Sequence, residues 1–164
     1  MNVLVLSVVF SAVLYTEVAG WACPRGWVSN CDHCYFFSRD TKTWFEASYM
    51  CTAMGGALVS FDTPAELQWV KGYVTRLCSG KSYWTGLNDI RQEGRWVWNP
   101  TNGNAVKNVD WAHGEPNSWR GLNQDCMLLW HHRSYQWDDE RCELPKGYIC
   151  ERYMFSERVC PCRL

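Results

Sequence analysis

The stretch from Gly114 to Cys142 reads GEPNSWRGLNQDCMLLWHHRSYQWDDERC. It brings oxygen-bearing side chains together at three points along a short length of chain. These side chains belong to Glu115, Asn117, Gln124, Asp138 and Asp139. A hard cation such as Ca²⁺ takes six to eight oxygen ligands from carboxylates, amide carbonyls and water. The five side chains therefore predict a calcium site that leaves coordination positions open for a ligand.

Outside this stretch, the chain carries ordered landmarks rich in Cys, Trp and Gly. They are Cys23-Pro24, Gly26-Trp27, Cys34-Tyr35, Thr43-Trp44, Glu46-Ala47, Cys51, Gly56, Leu58-Val59-Ser60, Trp84-Thr85-Gly86-Leu87, Gly94, Trp96-Val97-Trp98 and Tyr148-Ile149-Cys150-Glu151. With the Glu-Pro-Asn triplet, this order resembles the framework of the C-type lectin domain family over residues 23–151. The resemblance implies an α+β fold with two helices, antiparallel β-sheets, a long calcium-binding loop and stabilising disulfides. Residues 72–77 and 93–96 resemble members of that family found in shell matrix.

The resemblance also implies roles for the residues of the loop. Calcium would be held by Glu115, Asn117, Gln124, Asp138 and Asp139, and Pro116 is often cis in this family. Sugar hydroxyls would contact the ion and the same side chains, apart from Asp139. Trp119 lies where galactose-binding members place a Trp against the sugar, although it could instead fold under the loop.

Sugar preference stays open between mannose-type, galactose-type and mixed binding. In this family the Glu-Pro-Asn triplet selects mannose-type sugars, and Glu115 and Asn117 follow that pattern. Gln124, however, stands where the family usually has Glu, and Asp138 where it usually has Asn. Because a carboxylate only accepts hydrogen bonds whereas an amide also donates, one of the two pairs of sugar contacts is reversed.

A second, auxiliary calcium site is suggested by three further acids. Asp89, Glu93 and Asp125 match positions that bind an additional ion in some members of the family. The alternative is that they are ordinary turn acids, with Asp125 held by a local hydrogen bond.

The N-terminal segment predicts export. Residues 1–20 are apolar, carry one charge at Glu17 and end in Val18-Ala19-Gly20, which suits a signal peptidase. We therefore expect a signal peptide over 1–20, a single lectin-like domain over 21–152 and a Cys-containing tail over 153–164. Removal of the segment leaves 16 basic and 16 acidic residues, so charge gives no case for nucleic acid or for an anionic membrane. No second apolar run is long enough to span a membrane.

Ten cysteines in an exported chain predict a disulfide framework. The family resemblance pairs Cys23 with Cys34, Cys51 with Cys150, and Cys126 with Cys142. Four cysteines lie outside that pattern: Cys31, Cys78, Cys160 and Cys162. They permit two more bridges, or one bridge and a disulfide-linked oligomer.

Local signals predict the helices and strands. Thr43 and Glu46 form a capping-box pattern before a helix that ends at Gly55-Gly56. Thr63-Pro64 opens a second helix that continues to Leu77. After Gly80, short aromatic segments alternate with turn residues, which predicts β-strands joined by turns and one long loop over about residues 99–124.

Enzyme chemistry finds little support in the sequence. His131-His132 could bind a metal, but adjacent residues on a strand point to opposite faces. Cys31-Asp32-His33-Cys34 has the spacing of a redox motif, yet Cys34 is needed for a structural bridge. We therefore expect a secreted, calcium-dependent, glycan-binding lectin that acts in glycan or microbe recognition. The alternative is an extracellular matrix protein that binds calcium carbonate or other matrix components.

Overall fold

The computed structural model describes residues 23–99, 109–117 and 121–154. The predicted signal peptide, Trp119 and the tail cysteines Cys160 and Cys162 lie outside the described residues.

Both predicted helices are confirmed, with their predicted caps. Helix α1 spans Trp44–Ala53, and the Thr43 side chain accepts a hydrogen bond from the backbone N–H of Glu46 while the Glu46 carboxylate accepts from the N–H of Thr43. Helix α2 spans Pro64–Leu77, with Thr63 as its N-cap. Gly56 follows α1, and a Cβ there would lie 2.3 Å from the carbonyl oxygen of Glu151. Glycine therefore lets the end of α1 approach the sheet.

Eight strands form one sheet. They are β1 (Val28–Asn30), β2 (His33–Phe37), β3 (Ala57–Leu58), β4 (Tyr83–Asn88), β5 (Val97–Trp98), β6 (Cys126–Trp130), β7 (Gln136–Glu140) and β8 (Gly147–Tyr153). The strand order is β1-β2-β8-β4-β6-β7, with β3 paired to β8 and β5 to β4. Every named pair is antiparallel except β4 with β8, which is parallel and makes the sheet mixed. The predicted α+β fold is confirmed.

The core consists of two apolar clusters. One contains the buried face of α2, namely Leu67, Val70 and Val74, and the other contains Ala47 and Cys51 of α1. Six tryptophans contribute to the core to different degrees. Trp44, Trp84, Trp98 and Trp137 are buried, whereas Trp96 and Trp111 are partly buried and pack against the first cluster.

The three predicted disulfides are present: Cys23–Cys34, Cys51–Cys150 and Cys126–Cys142. Cys31 is disulfide-bonded as well. Cys78 is free and exposed, and its backbone takes the left-handed conformation that ends α2. Cys78 is therefore a cysteine of the described residues whose thiol is accessible to solvent.

Glu151 is an acid enclosed within the fold. It lies on β8 opposite Tyr35 of β2 and Ala57 of β3, and its carboxylate accepts a 2.6 Å hydrogen bond from the Ser60 hydroxyl. Burial, reinforced by the nearby charge of Glu66, raises the pKa of Glu151 to about 8. The neutral form of this side chain is thus favoured in the folded protein.

No helix within the described residues has the length and apolar character that crossing a membrane requires.

Candidate calcium and ligand site

The β6–β7 hairpin carries two of the predicted calcium ligands. Asp138 lies opposite Leu128, and Asp139 lies opposite Met127. The Cys126–Cys142 disulfide closes this end of the hairpin. Because regular strands hold both acids, their backbone positions are fixed by the sheet and do not depend on a bound ion.

The segment 109–117 brings the third acid to the same place by running along β7. The N–H of Ala112 donates to the carbonyl of Trp137, and the N–H of Trp137 donates to the carbonyl of Asp110, each at 2.8 Å. The peptide bond between Glu115 and Pro116 is cis, as the family resemblance implies. The described part of the predicted long loop is thereby anchored to the sheet.

Asp139 connects the three segments that form the site. The backbone N–H of Asn117 donates to both carboxylate oxygens of Asp139, at 3.0 Å each. The side-chain amide of Gln124 donates to the Asp139 carbonyl, also at 3.0 Å. Asp139 is 2% exposed, so it acts as a buried junction.

The donor set fits a calcium ion. Glu115, Asp138 and Asp139 each place one carboxylate oxygen within 4.8 Å of the other two. In the described part of the chain, no other group of three ligating side chains lies this close together. One carboxylate oxygen of Glu115 is buried and lacks a hydrogen-bond partner. A buried oxygen without a partner costs free energy unless a donor or a cation satisfies it. The amide oxygens of Asn117 and Gln124 are further ligands of the type that calcium uses.

Burial and neighbouring charges raise the pKa values of two of these acids, Glu115 and Asp138. Burial, a hydrogen bond with Asp139 and the charge of Asp139 raise the pKa of Glu115 to about 7. Burial, followed by the charges of Glu115 and Asp139, raises the pKa of Asp138 to about 7. Both shifts have the sign expected where carboxylates are enclosed beside one another, and a divalent cation would reverse them.

The structure thus brings together the five residues predicted for the main site. The three acids converge directly, and Asn117 and Gln124 join them through hydrogen bonds to Asp139. Trp119, the predicted stacking residue for sugar, lies outside the described residues.

The predicted auxiliary site is organised differently. Asp89 is buried, accepts a 2.8 Å hydrogen bond from the N–H of Gly94 and has one carboxylate oxygen without a partner. Asp125 accepts a 2.6 Å hydrogen bond from Asn123, as the alternative of a local bond anticipated. Burial raises the pKa of Asp89 to about 6, and the charges of Glu93 and Asp125 add to that shift. Glu93 and Asp125 are thus close enough to Asp89 for their charges to act on it. A second calcium ion at these three acids stays a prediction.

The expectation that His131 and His132 lie on a strand is wrong. Residues His131–Arg133 form a short 3₁₀ helix in the turn between β6 and β7, where Ser134 and Tyr135 take positive φ values to reverse the chain. The metal-binding alternative gains no support, because these histidines belong to no cluster of three ligating side chains within the described ranges.

The redox alternative fails on its cysteines. Cys34 is bonded to Cys23, and Cys31 is disulfide-bonded too. The two cysteines of the Cys31-Asp32-His33-Cys34 segment therefore lack the free thiols that exchange chemistry requires.

Sequence reasoning missed two cations near the site. Lys146 lies 3.2 Å from Glu140, and its charge lowers the pKa of Asp138. The guanidinium of Arg133 lies over the Trp130 ring, 5.4 Å from its centroid. No local signal marks these residues, because their positions depend on the hairpin pairing and on the return of β8.

Comparison with known proteins finds similarity to one domain family. The model of the Lectin C-type domain matches residues 40–152. A perlucin-like protein from Mytilus galloprovincialis is 38% identical over 130 residues, covering 78% of this chain and 81% of that protein. Perlucin from Haliotis laevigata is 31% identical over 130 residues, covering 79% and 83%. The cow CD23 carbohydrate-recognition domain, crystallised in the presence of a GlcNAc2Man3 oligosaccharide, superposes with a TM-score of 0.71 at 29% identity and covers 82% of this chain and 98% of that one.

Proposed function

The chain belongs to the C-type lectin domain family, and on that premise we propose that it is a secreted lectin that binds glycans through a calcium ion held by Glu115, Asn117, Gln124, Asp138 and Asp139. Domains of this family are binding modules and not enzymes. The observation that carries the proposal is the convergence of three carboxylates, one of which, that of Glu115, has a buried oxygen without a hydrogen-bond partner. The similar cow domain, solved with an oligosaccharide, supports a glycan as the ligand.

The side chains would have separate tasks in this function. Bound calcium would supply coordination positions for two neighbouring hydroxyls of a sugar. Glu115 and Asp138 offer carboxylate oxygens that accept hydrogen bonds from those hydroxyls, and the exposed Asn117 offers an amide that can donate. Gln124 directs its amide nitrogen to the Asp139 carbonyl. Its amide oxygen is then the atom suited to the ion.

Secretion is supported by the oxidised cysteines. Bonds at Cys23–Cys34, Cys51–Cys150 and Cys126–Cys142 form and persist in oxidising compartments. An extracellular setting also supplies calcium at the concentrations that modules of modest affinity require.

The test is retention on immobilised sugar. Wild-type protein should bind mannose or galactose resin in calcium and elute with EDTA, and magnesium should not replace calcium. Glu115→Gln should lose retention, because it removes a carboxylate while keeping a side chain of similar shape. Asp62→Asn, which changes an exposed acid elsewhere, should be retained as well as wild type. Retention that survives EDTA would disprove the proposal.

A second candidate function is that of a matrix protein, which the similarity to perlucin and a perlucin-like protein favours. Such a protein should stay on calcium carbonate powder in the presence of excess free mannose and galactose. Equal retention of wild type and Glu115→Gln on the powder, with no retention on either resin, would favour the matrix role over the lectin.

A further inference from the structure

One face of the β6–β7 hairpin carries a row of side chains that ends at the calcium site. Residues opposite each other in an antiparallel pair share a face, as do residues two apart on one strand. Trp130 lies opposite Gln136, and Leu128 lies opposite Asp138. Trp130, Gln136 and Asp138 therefore lie on the same face. Two residues of strand separate Asp138 from the level of Trp130, which is about 7 Å.

Arg133 lies at the far end of this row. It is exposed, and its guanidinium lies 5.4 Å from the centroid of the Trp130 ring. Trp130 in turn is partly buried against the second core cluster. Stacking on a fixed ring restrains a long side chain and leaves the edges of the guanidinium available for hydrogen bonds.

Arg133 adds a positive charge at the turn end of this row. The ion pairs within the described ranges do not include Arg133, whereas Lys146, the other cation near the site, is paired with Glu140 at 3.2 Å. Of these two cations, both within the described part of the chain, Arg133 is therefore the one whose charge is available to a ligand.

We propose that the glycan recognised at this site carries an acidic group, a carboxylate or a sulfate, on the bound sugar or its neighbour, and that Arg133 binds that group. The inference rests on the proposed function, because it specifies which glycans the calcium site selects. A planar guanidinium matches the paired oxygens of both groups. With calcium bound, the three carboxylates and the ion would leave about one net negative charge at the site, which gives no attraction for an anionic ligand. Arg133 would supply that attraction.

The experiment is a glycan array in calcium, printed with pairs of glycans that differ by one sulfate or one carboxylate on the terminal or penultimate sugar. The acidic member of at least one pair should bind roughly twofold to fivefold more tightly, which is the range for an exposed ion pair. The advantage should shrink as sodium chloride is added. Arg133→Gln should abolish it while neutral glycans bind as before, and Arg133→Lys should retain part of it. The sulfated and carboxylated pairs show which acid is preferred.

The matched control is Arg76→Gln, because Arg76 is also exposed and lies 5.6 Å from the centroid of an aromatic ring, that of Tyr73, on α2. This variant should keep the wild-type preference. Equal binding of acidic and neutral members by wild type would overturn the inference and leave the calcium lectin intact. An acidic preference that persists in Arg133→Gln, or in EDTA, would overturn it too. Absence of all calcium-dependent glycan binding would instead refute the proposed function, and the inference with it.

Discussion

Asp139→Asn should separate calcium binding from folding. The asparagine oxygen can still accept the hydrogen bond from the N–H of Asn117, which both oxygens of Asp139 receive in the wild type. The substitution removes one of three carboxylates that lie within 4.8 Å of one another. Calcium affinity should therefore collapse while the backbone connections of the site survive.

The expected magnitudes follow from ligand linkage. Extracellular calcium modules bind with Kd values of about 10⁻⁴ to 10⁻³ M, so about 10 mM calcium should stabilise the wild type by about 1.4 to 2.7 kcal/mol. For a domain of this size, that is a rise in Tm of roughly 4 to 10 °C. Two unit charges 4 Å apart interact by about 4 kcal/mol at an effective dielectric constant of 20. Loss of one carboxylate should thus weaken binding at least about a hundredfold, and Asp139→Asn should gain under about 0.4 kcal/mol from calcium.

In EDTA the stability advantage that calcium gives the wild type over Asp139→Asn should disappear or reverse. Removing one of three crowded negative charges relieves repulsion, so metal-free Asp139→Asn should be at least as stable as the metal-free wild type. The assay is thermal unfolding by circular dichroism in calcium, in magnesium and in EDTA, with Asp62→Asn as the control that responds like wild type. The reasoning is refuted if Asp139→Asn keeps the calcium-induced rise, or if the wild type shows none.

Three further predictions concern specificity, pH and assembly. The double change Gln124→Glu plus Asp138→Asn keeps three carboxylates and should raise the ratio of mannose to galactose affinity, measured by titration of both sugars; an unchanged ratio would show that this pair does not set the preference. Because the folded-state pKa of Glu151 is raised to about 8 from an ordinary 4.5, its contribution to stability is lost as pH rises through that window. In saturating calcium, Glu151→Gln should therefore have a higher free energy of unfolding than wild type at pH 9, measured by chemical denaturation, and that free energy should vary less with pH. Wild type and variant profiles of unfolding free energy against pH that run parallel would contradict the raised pKa. The exposed thiol of Cys78 should form an intermolecular disulfide, so Cys78→Ser should reduce the oligomer seen on a gel without reductant, and a wild type that migrates as a monomer would count against it.

Features with short-range causes could be predicted from the sequence. The caps of both helices depend on residues three positions apart, such as Thr43 and Glu46, so their pattern is visible in the chain. The side chains of the candidate calcium site could also be predicted, because Glu115, Asn117 and Asp139 bring oxygen-bearing groups into one short stretch of chain.

The pairing of distant strands could not be predicted from local patterns. Whether β4 pairs with β8 in parallel depends on how distant segments return to the sheet. The turn at His131–Arg133 is a 3₁₀ helix because the hairpin must reverse there, which an alternation rule for strands does not represent. Arg133 became a candidate contact only when the register of β6 and β7 placed Trp130 and Asp138 on one face.

The buried position of Asp139 also limits how such a protein can diversify. This side chain accepts from the Asn117 N–H and is itself a predicted ion ligand, so an exchange to a residue without a side-chain acceptor would remove a structural bond and an ion ligand together. The exposed Arg133 lies outside that junction, where replacement leaves the junction's bonds and the predicted ion ligands in place. New sugar specificities should therefore arise by substitution at positions around an unchanged Asp139. A library randomised at such positions, with the predicted calcium ligands kept, should yield altered sugar selectivity with most of its members still folded.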